Sequence, residues 1–231
     1  PKEDPDRAIR RNAQDILREF VMTFVSFFAK KQIIIAVLFL LLFRLPEALL
    51  TPVSQLFLQA LPSKGGLGLS PQEFGLVNGT VGVIGFLVGG VIGGMLISRD
   101  GLKKWLWPMT LAITIPNLTY VYLAYVMPEN LMLINVCVAI ENLGYGFGFS
   151  AYMLFMIYFS QGEHKTSHYA LCTGLMALSM MLPGLFAGAL AQVAGYRLFF
   201  IIVMISCLLP FCVASFLKID ANFGKKEREE E

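Results

Sequence analysis

Three ionisable side chains, Arg44, Glu47 and Glu141, stand inside long apolar stretches. A charge near the centre of a bilayer costs on the order of 3 kcal/mol on insertion scales, so each needs a partner or a task. Arg44 and Glu47 are three residues apart, which on a continuous helix puts them on one face and lets them pair. Glu141 has no comparable cation nearby in sequence. A carboxyl without a counter-ion is a group that can take up a proton, which makes Glu141 the first candidate for proton coupling. Thr51 and Gln55 continue the Arg44–Glu47 face at helical spacing, and Gly144, Tyr145, Gly148 and Tyr152 continue the face of Glu141. Tyrosines beside glycines make a polar, stackable wall with room for a ligand, although such a stripe also serves ordinary helix packing. Asn78, Pro116-Asn117 and Asn142 are further polar positions, suited to a ligand or to hydrogen bonds between helices.

Other chemistries fit less well. Cys137, Cys172, Cys207 and Cys212 all fall in apolar stretches without a CxxC motif or a histidine at metal-ligand spacing, so they read as small buried hydrophobes. No metal or organic cofactor is expected, only a proton as coupling ion. Gly148-Phe149-Ser150 superficially matches the nucleophile of a rhomboid-type intramembrane serine protease. A serine needs a base within reach, however, and His164 and His168 lie in or near a loop, while Tyr152 stands where that motif expects Gly. A channel would show polar rings or a filter signature, and none is found.

The elements that must position these side chains are membrane helices. Of 231 residues, 56% are hydrophobic and 15% charged, against about 25% charged in an ordinary soluble domain. A crossing helix needs roughly 20 apolar residues, and that ruler marks six spans at 32–61, 74–97, 106–127, 131–159, 169–193 and 198–217. On it, Arg44 lies roughly 17 Å from the start of the first span and Glu141 about 15 Å from the start of the fourth. Both reach the midplane, where secondary transporters place substrate and coupling ions. Ser70-Pro-Gln-Glu73 has the spacing of a capping box with Pro at the first helical position. Pro46, Pro52 and Pro183-Gly184 predict kinks. Gly75, Gly79, Gly82, Gly89 and Gly93 fall near one face of the second span, as close packing requires.

Basic residues set the orientation, because they are retained on the cytoplasmic side. Lys2, Arg7, Arg10, Arg11, Arg18, Lys30 and Lys31 precede the first span, and Arg99, Lys103 and Lys104 follow the second. Lys165 precedes the fifth, and Lys218, Lys225, Lys226 and Arg228 follow the last. Only Lys64 and Arg197 fall at the opposite end, so both termini are expected in the cytoplasm. The net charge of +2 gives no reason to expect nucleic acid as a partner. In residues 1–31, Ile9, Ile16, Leu17, Phe20, Phe24, Phe27 and Phe28 recur at helical spacing. They fit either a helix in the membrane interface or a linker helix packed on the ends of the spans. Residues 32–217 form the bundle and 218–231 a charged tail. Trp105 and Trp107 read as interfacial anchors, and the sixth span, without charge, as lipid-facing.

The connection Gly94-Met-Leu-Ile-Ser98-Arg99-Asp100-Gly101-Leu102-Lys103-Lys104 resembles the loop signature of the major facilitator superfamily at Gly94, Arg99, Gly101 and Lys103, with Ser98 where the family prefers Asp. Phe43-Arg44-Leu45-Pro46-Glu47-Ala48, the Gly65–Ser70 loop, the Gly89-Gly90 and Gly93-Gly94 pairs and Ile140-Glu141-Asn142 look like the AmpG type of muropeptide permease. The resemblance implies an all-α membrane domain, the C-terminal six-helix half of a twelve-helix permease in a bacterial inner membrane, partnered by an N-terminal half. It also implies proton-driven import of GlcNAc-anhydroMurNAc peptides, with residues 1–31 joining the halves. On that architecture, spans one, two, four and five line the cavity and three and six support them. Arg44, Glu47, Gln55, Asn78, Glu141, Asn142, Tyr145 and Tyr152 become the candidate substrate and proton site. Gly94, Arg99, Gly101 and Lys103 become the conformational-switch loop. Relatives of this type include acetyl-CoA carriers and siderophore transporters, but an acyl-CoA asks for more cations than the single Arg44.

Overall fold

The structure, a computed structural model, describes residues 13–225. Ile9 and the basic residues Lys2, Arg7, Arg10, Arg11, Lys226 and Arg228 lie outside the described residues. Helix α1 (Ala13–Phe28) is followed by α2 (Ile33–Leu42) and α3 (Leu45–Gln59). The chain then forms α4 (Pro71–Phe74), a π-helical segment (Gly75–Gly82) and α5 (Val83–Asp100). Next come α6 (Leu102–Thr114), a 3-10 turn (Ile115–Asn117), α7 (Leu118–Val126) and α8 (Leu131–Ser160). The described residues end with α9 (Lys165–Ser206), α10 (Leu208–Ser215) and turns up to Lys225.

Among the described residues, five helical units are long and apolar enough to cross a membrane: Ile33–Gln59, Pro71–Asp100, Leu102–Val126, Leu131–Ser160 and Lys165–Ser215. The last runs over 51 residues and contains both of the final two apolar stretches. Gly195 interrupts it, with φ 74° and ψ 158°, a non-helical backbone in the region that favours glycine.

Local chemistry explains the other breaks. Pro46 has no N–H to return to the carbonyl of Leu42, and the chain leaves the helix at Phe43 and Arg44 before α3 begins. Arg44 is the N-cap of α3, at φ −100° and ψ 6°. The hydroxyl of Tyr152 donates to the Leu40 carbonyl at 2.7 Å just before the break. Pro116 sits in the 3-10 turn that divides α6 from α7, whereas Pro52 and Pro183 stay within helices. The capping box at α4 forms as expected. Glu73 N–H donates to Ser70 Oγ at 3.3 Å, and Ser70 N–H donates to the Glu73 carboxylate at 2.9 Å.

The helices pack around two apolar cores with polar groups between them. One core gathers Phe27, Phe39, Phe43, Met109, Ile113, Tyr152 and Phe155, and the other Leu50, Val53, Phe57, Tyr120, Val138, Phe199 and Phe200. Along the chain, Arg44 and Glu47 fall between the two sets, as do Thr114 and Asn117, and Glu141. Helices α5 and α8 approach each other closely through their backbones. A Cβ on Gly89 would collide with the Leu143 carbonyl oxygen, and one on Gly146 with that of Phe86. Of the glycine face read from sequence, Gly82, Gly89 and Gly93 serve this contact or border it, while Gly75 and Gly79 meet open space.

At one end of the bundle α1 docks through Phe27, which is fully buried against Phe159 and His168, while Val21, Met22, Phe24, Val25 and Phe28 stay exposed. Lys30 Nζ donates to the Phe159 and Gln161 carbonyls at 2.5 and 2.8 Å. Burial lowers the Lys30 pKa from its ordinary value. The four cysteines are free, and three are buried as expected. Cys212 departs from that reading: it is exposed on α10, because its side chain faces away from the two apolar cores.

Candidate functional site

The polar layer opens into a cavity of about 250 Å³. Helix α3 supplies Glu47, Thr51, Ser54 and Gln55, which recur at helical spacing from one face. Asn78 comes from the middle of the π-helical segment, a widened turn of the kind found at functional sites. Val83 and Phe86 follow on α5, Tyr120 on α7, and Glu141, Asn142 and Tyr145 on α8.

Both acidic side chains of the bundle interior therefore face one cavity, at 4% exposure each. Glu47 Oε1 accepts from Thr51 Oγ1 at 2.9 Å, and its Oε2 has no hydrogen-bond partner among the described residues. Glu141 Oε2 accepts from Asn142 Nδ2 at 2.7 Å, and the same nitrogen donates to the Val138 carbonyl at 3.0 Å. A Cβ on Gly82 would lie 3.3 Å from that nitrogen, so the glycine leaves Asn142 its place. An arrangement of two carboxylates, hydroxyls and amides around one small space can bind hydroxyl and amide groups and can hold a proton.

The expected pairing of Arg44 with Glu47 is absent, and the backbone explains why. Spacing of three residues aligns side chains only on a continuous helix, and Arg44 lies at the break ahead of α3. The ion pairs among the described residues are those of Asp100 with Arg99 and Lys104. Arg44 turns instead into a cage of aromatic rings. Its guanidinium carbon is 4.6 Å from the centroid of Phe149 and 5.6 Å from those of Tyr145 and Tyr152. Such cation–π contacts are worth about 2 kcal/mol or more when desolvated. Arg44 Nη2 donates to the Tyr145 hydroxyl, and Nε has no partner among the described residues.

Of the eight candidate residues, Glu47, Gln55, Asn78, Glu141, Asn142 and Tyr145 line the cavity together. Arg44 reaches it through Tyr145, and Tyr152 lies behind, fully buried and bonded to the Leu40 carbonyl. Thr51, Ser54, Val83, Phe86 and Tyr120 complete the wall. Ser54 was legible at seven residues from Glu47. Tyr120 was not, because the third span was expected to stand outside. No lining residue comes from α9.

The switch-loop candidates gather at the end of α5. Asp100 Oδ2 accepts from Arg99 Nη2 and Trp105 Nε1 at 3.0 Å and lies 3.4 Å from Lys104 Nζ. Gly101, at φ 89°, turns the chain where the Ala221 carbonyl and Lys225 crowd it, and Leu102 N–H donates to the Phe223 carbonyl at 2.9 Å. Lys103 is exposed and Gly94 meets open space. The hydroxyl of Ser150, the nucleophile of the protease reading, donates to the Gly90 and Gly146 carbonyls, whereas His168 Nε2 lies 3.0 Å from Ser26 Oγ.

No family model matches the chain. It is 25% identical over 192 residues, 82% of its length, to the AmpG 1 transporter candidate of Rickettsia prowazekii, of which the match covers 41%. It is 26% identical over 176 residues, 76% of its length, to the anhydromuropeptide permease of Escherichia coli, of which the match covers 35%. An uncharacterized protein of Haemophilus influenzae is 24% identical over 206 residues, 85% of this chain and 47% of its own length. The chain thus spans less than half the length of the relatives it matches. Over most of its length it is homologous to AmpG-type transporters and the anhydromuropeptide permease.

Proposed function

We propose that the chain is the C-terminal half of a major facilitator permease that imports anhydromuropeptides with protons, by alternating access, in a bacterial inner membrane. The observation that carries this reading is the pair Glu47 and Glu141 on one buried cavity between two apolar cores. Two carboxylates facing one small space repel, and a proton shared between them relieves that repulsion. Glu141 takes the coupling proton and Glu47 holds its charge against Thr51. The amides of Gln55, Asn78 and Asn142 and the wall of Tyr145 meet the sugar and peptide groups of the substrate. Arg44, locked behind Tyr145, offsets part of the negative charge of the two carboxylates.

Six crossings follow if the unit Lys165–Ser215, formed by α9 and α10, is read as two spans. At about 1.5 Å per residue an unbroken 51-residue helix would run about 75 Å, far beyond roughly 30 Å of hydrocarbon, and the Gly195 break divides it. Both ends of the chain then lie in the cytoplasm, as the basic residues favour, and the loop at Gly94, Arg99, Gly101 and Lys103 controls the change of access. The N-terminal half of the permease supplies the facing wall.

Uptake tests the reading. Full-length protein in vesicles should accumulate labelled anhydromuropeptide only with an inward proton gradient, and Glu141→Gln should abolish the gradient dependence. Accumulation that ignores the gradient, or coupling unchanged in Glu141→Gln, would overturn the assignment of the proton site.

A further inference from the structure

A second cavity, of about 450 Å³, lies at the end of the bundle opposite the docked α1, between the connections at 62–65, 124–127 and 194–197. Lys64 and Arg197, the two basic residues of that end, both line it. Neither forms an ion pair among the described residues. No acidic side chain is among its lining residues: Glu129, two residues beyond the lining Met127, is exposed and not part of the lining, and Glu73 is held by Ser70.

The arginine is fixed in place before any ligand arrives. Arg197 Nε donates to the Ala124 carbonyl at 3.0 Å, and its guanidinium stacks 5.4 Å from the centroid of Tyr125. This orientation spends one donor on the protein and leaves the terminal nitrogens for an anion, the geometry that suits a phosphate. The chain bends around the space at Gly65 and Gly195, whose φ values of 79° and 74° need glycine.

What surrounds the cavity selects the source of that phosphate. Leu61, Val126, Val193 and Leu198, each next in sequence to a lining residue, are exposed apolar side chains, with Val193 at 90%. Tyr125 stands among them as an interfacial aromatic. A soluble anion has no use for such a rim, whereas a lipid fills it with acyl chain. Basic pockets between membrane helices bind anionic headgroups on the cytoplasmic side, and two cations beside an apolar rim offer the same phosphodiester chemistry at this opposite end. We propose that this cavity binds the phosphodiester headgroup of an anionic phospholipid, with Lys64 and Arg197 on the phosphate and Leu61, Val193 and Leu198 against the chains.

Native mass spectrometry of the full-length protein in neutral detergent tests this, with phosphatidylglycerol titrated against phosphatidylcholine. Phosphatidylglycerol adducts should dominate in the wild type, fall several-fold in Lys64→Gln, and lose their preference in Lys64→Gln/Arg197→Gln. The Lys64 side chain is exposed and has no hydrogen bond or ion pair among the described residues, so its single variant decides the matter even if loss of Arg197 unfolds the protein. Equal retention of the two lipids, or an unchanged preference in Lys64→Gln, would overturn the proposal. So would displacement of the lipid by millimolar inorganic phosphate, which would make the cavity a site for free anions.

Discussion

Gly89→Ala should separate α5 from α8 and destabilise the bundle. A methyl carbon there would lie 2.9 Å from Phe147 N and 3.0 Å from the Leu143 carbonyl carbon, and closer still to the Leu143 oxygen. All three are backbone atoms of one rigid helix, so no side chain can swing aside, and the helices must part. A gap of roughly 0.5–1 Å forfeits a quarter to a half of the dispersion energy of each contact it opens. Overpacking of this kind costs typically about 1–3 kcal/mol. At about 2–4 °C per kcal/mol for a chain of this size, the melting temperature should fall by about 2–12 °C. Gly94→Ala is the control on the same helix. Its Cβ meets nothing within 4 Å, and alanine is favoured over glycine in a helix by up to about 1 kcal/mol. Its melting temperature should hold or rise. Thermal unfolding in one detergent, read by tryptophan fluorescence from Trp105 and Trp107, compares the two variants. Equal melting temperatures for Gly89→Ala and wild type, or an equal loss in Gly94→Ala, would refute the packing argument.

Two further substitutions probe the features around the cavity. Tyr152→Phe removes the donor to the Leu40 carbonyl beside the Pro46 break, leaving a buried acceptor unpaired at a cost of about 1–3 kcal/mol. A melting temperature within 1 °C of wild type would show that the bond carries no such weight, at about 2–4 °C per kcal/mol. Asp100→Asn weakens the acceptor that gathers Arg99, Lys104 and Trp105, and should slow gradient-driven uptake while leaving substrate affinity unchanged. A change confined to KM would remove the loop from control of access.

The first four spans were readable because a bilayer imposes a minimum apolar length on every crossing, and runs such as 32–61 and 131–159 coincide within a few residues with the units Ile33–Gln59 and Leu131–Ser160, whereas the last two expected spans fall within the single unit Lys165–Ser215. The cap at Ser70 was readable for the same kind of reason, since its chemistry is complete within four residues. What the sequence obscured was the consequence of a local break for distant partners. Pro46 announced a kink, but the pairing of Arg44 with Glu47 was read as if the helix ran through it. The break instead sends Arg44 towards Phe149, Tyr145 and Tyr152, about a hundred residues away, a meeting that spacing along one helix cannot disclose. Tyr120 was hidden likewise, because the rotation of the third span against α3 and α8 depends on packing between helices. Glu47 and Glu141 are the instructive exception. Each was conspicuous alone as a charge in an apolar run, and the cost of burying either makes a shared polar space the arrangement that relieves both, which is where the fold brings them.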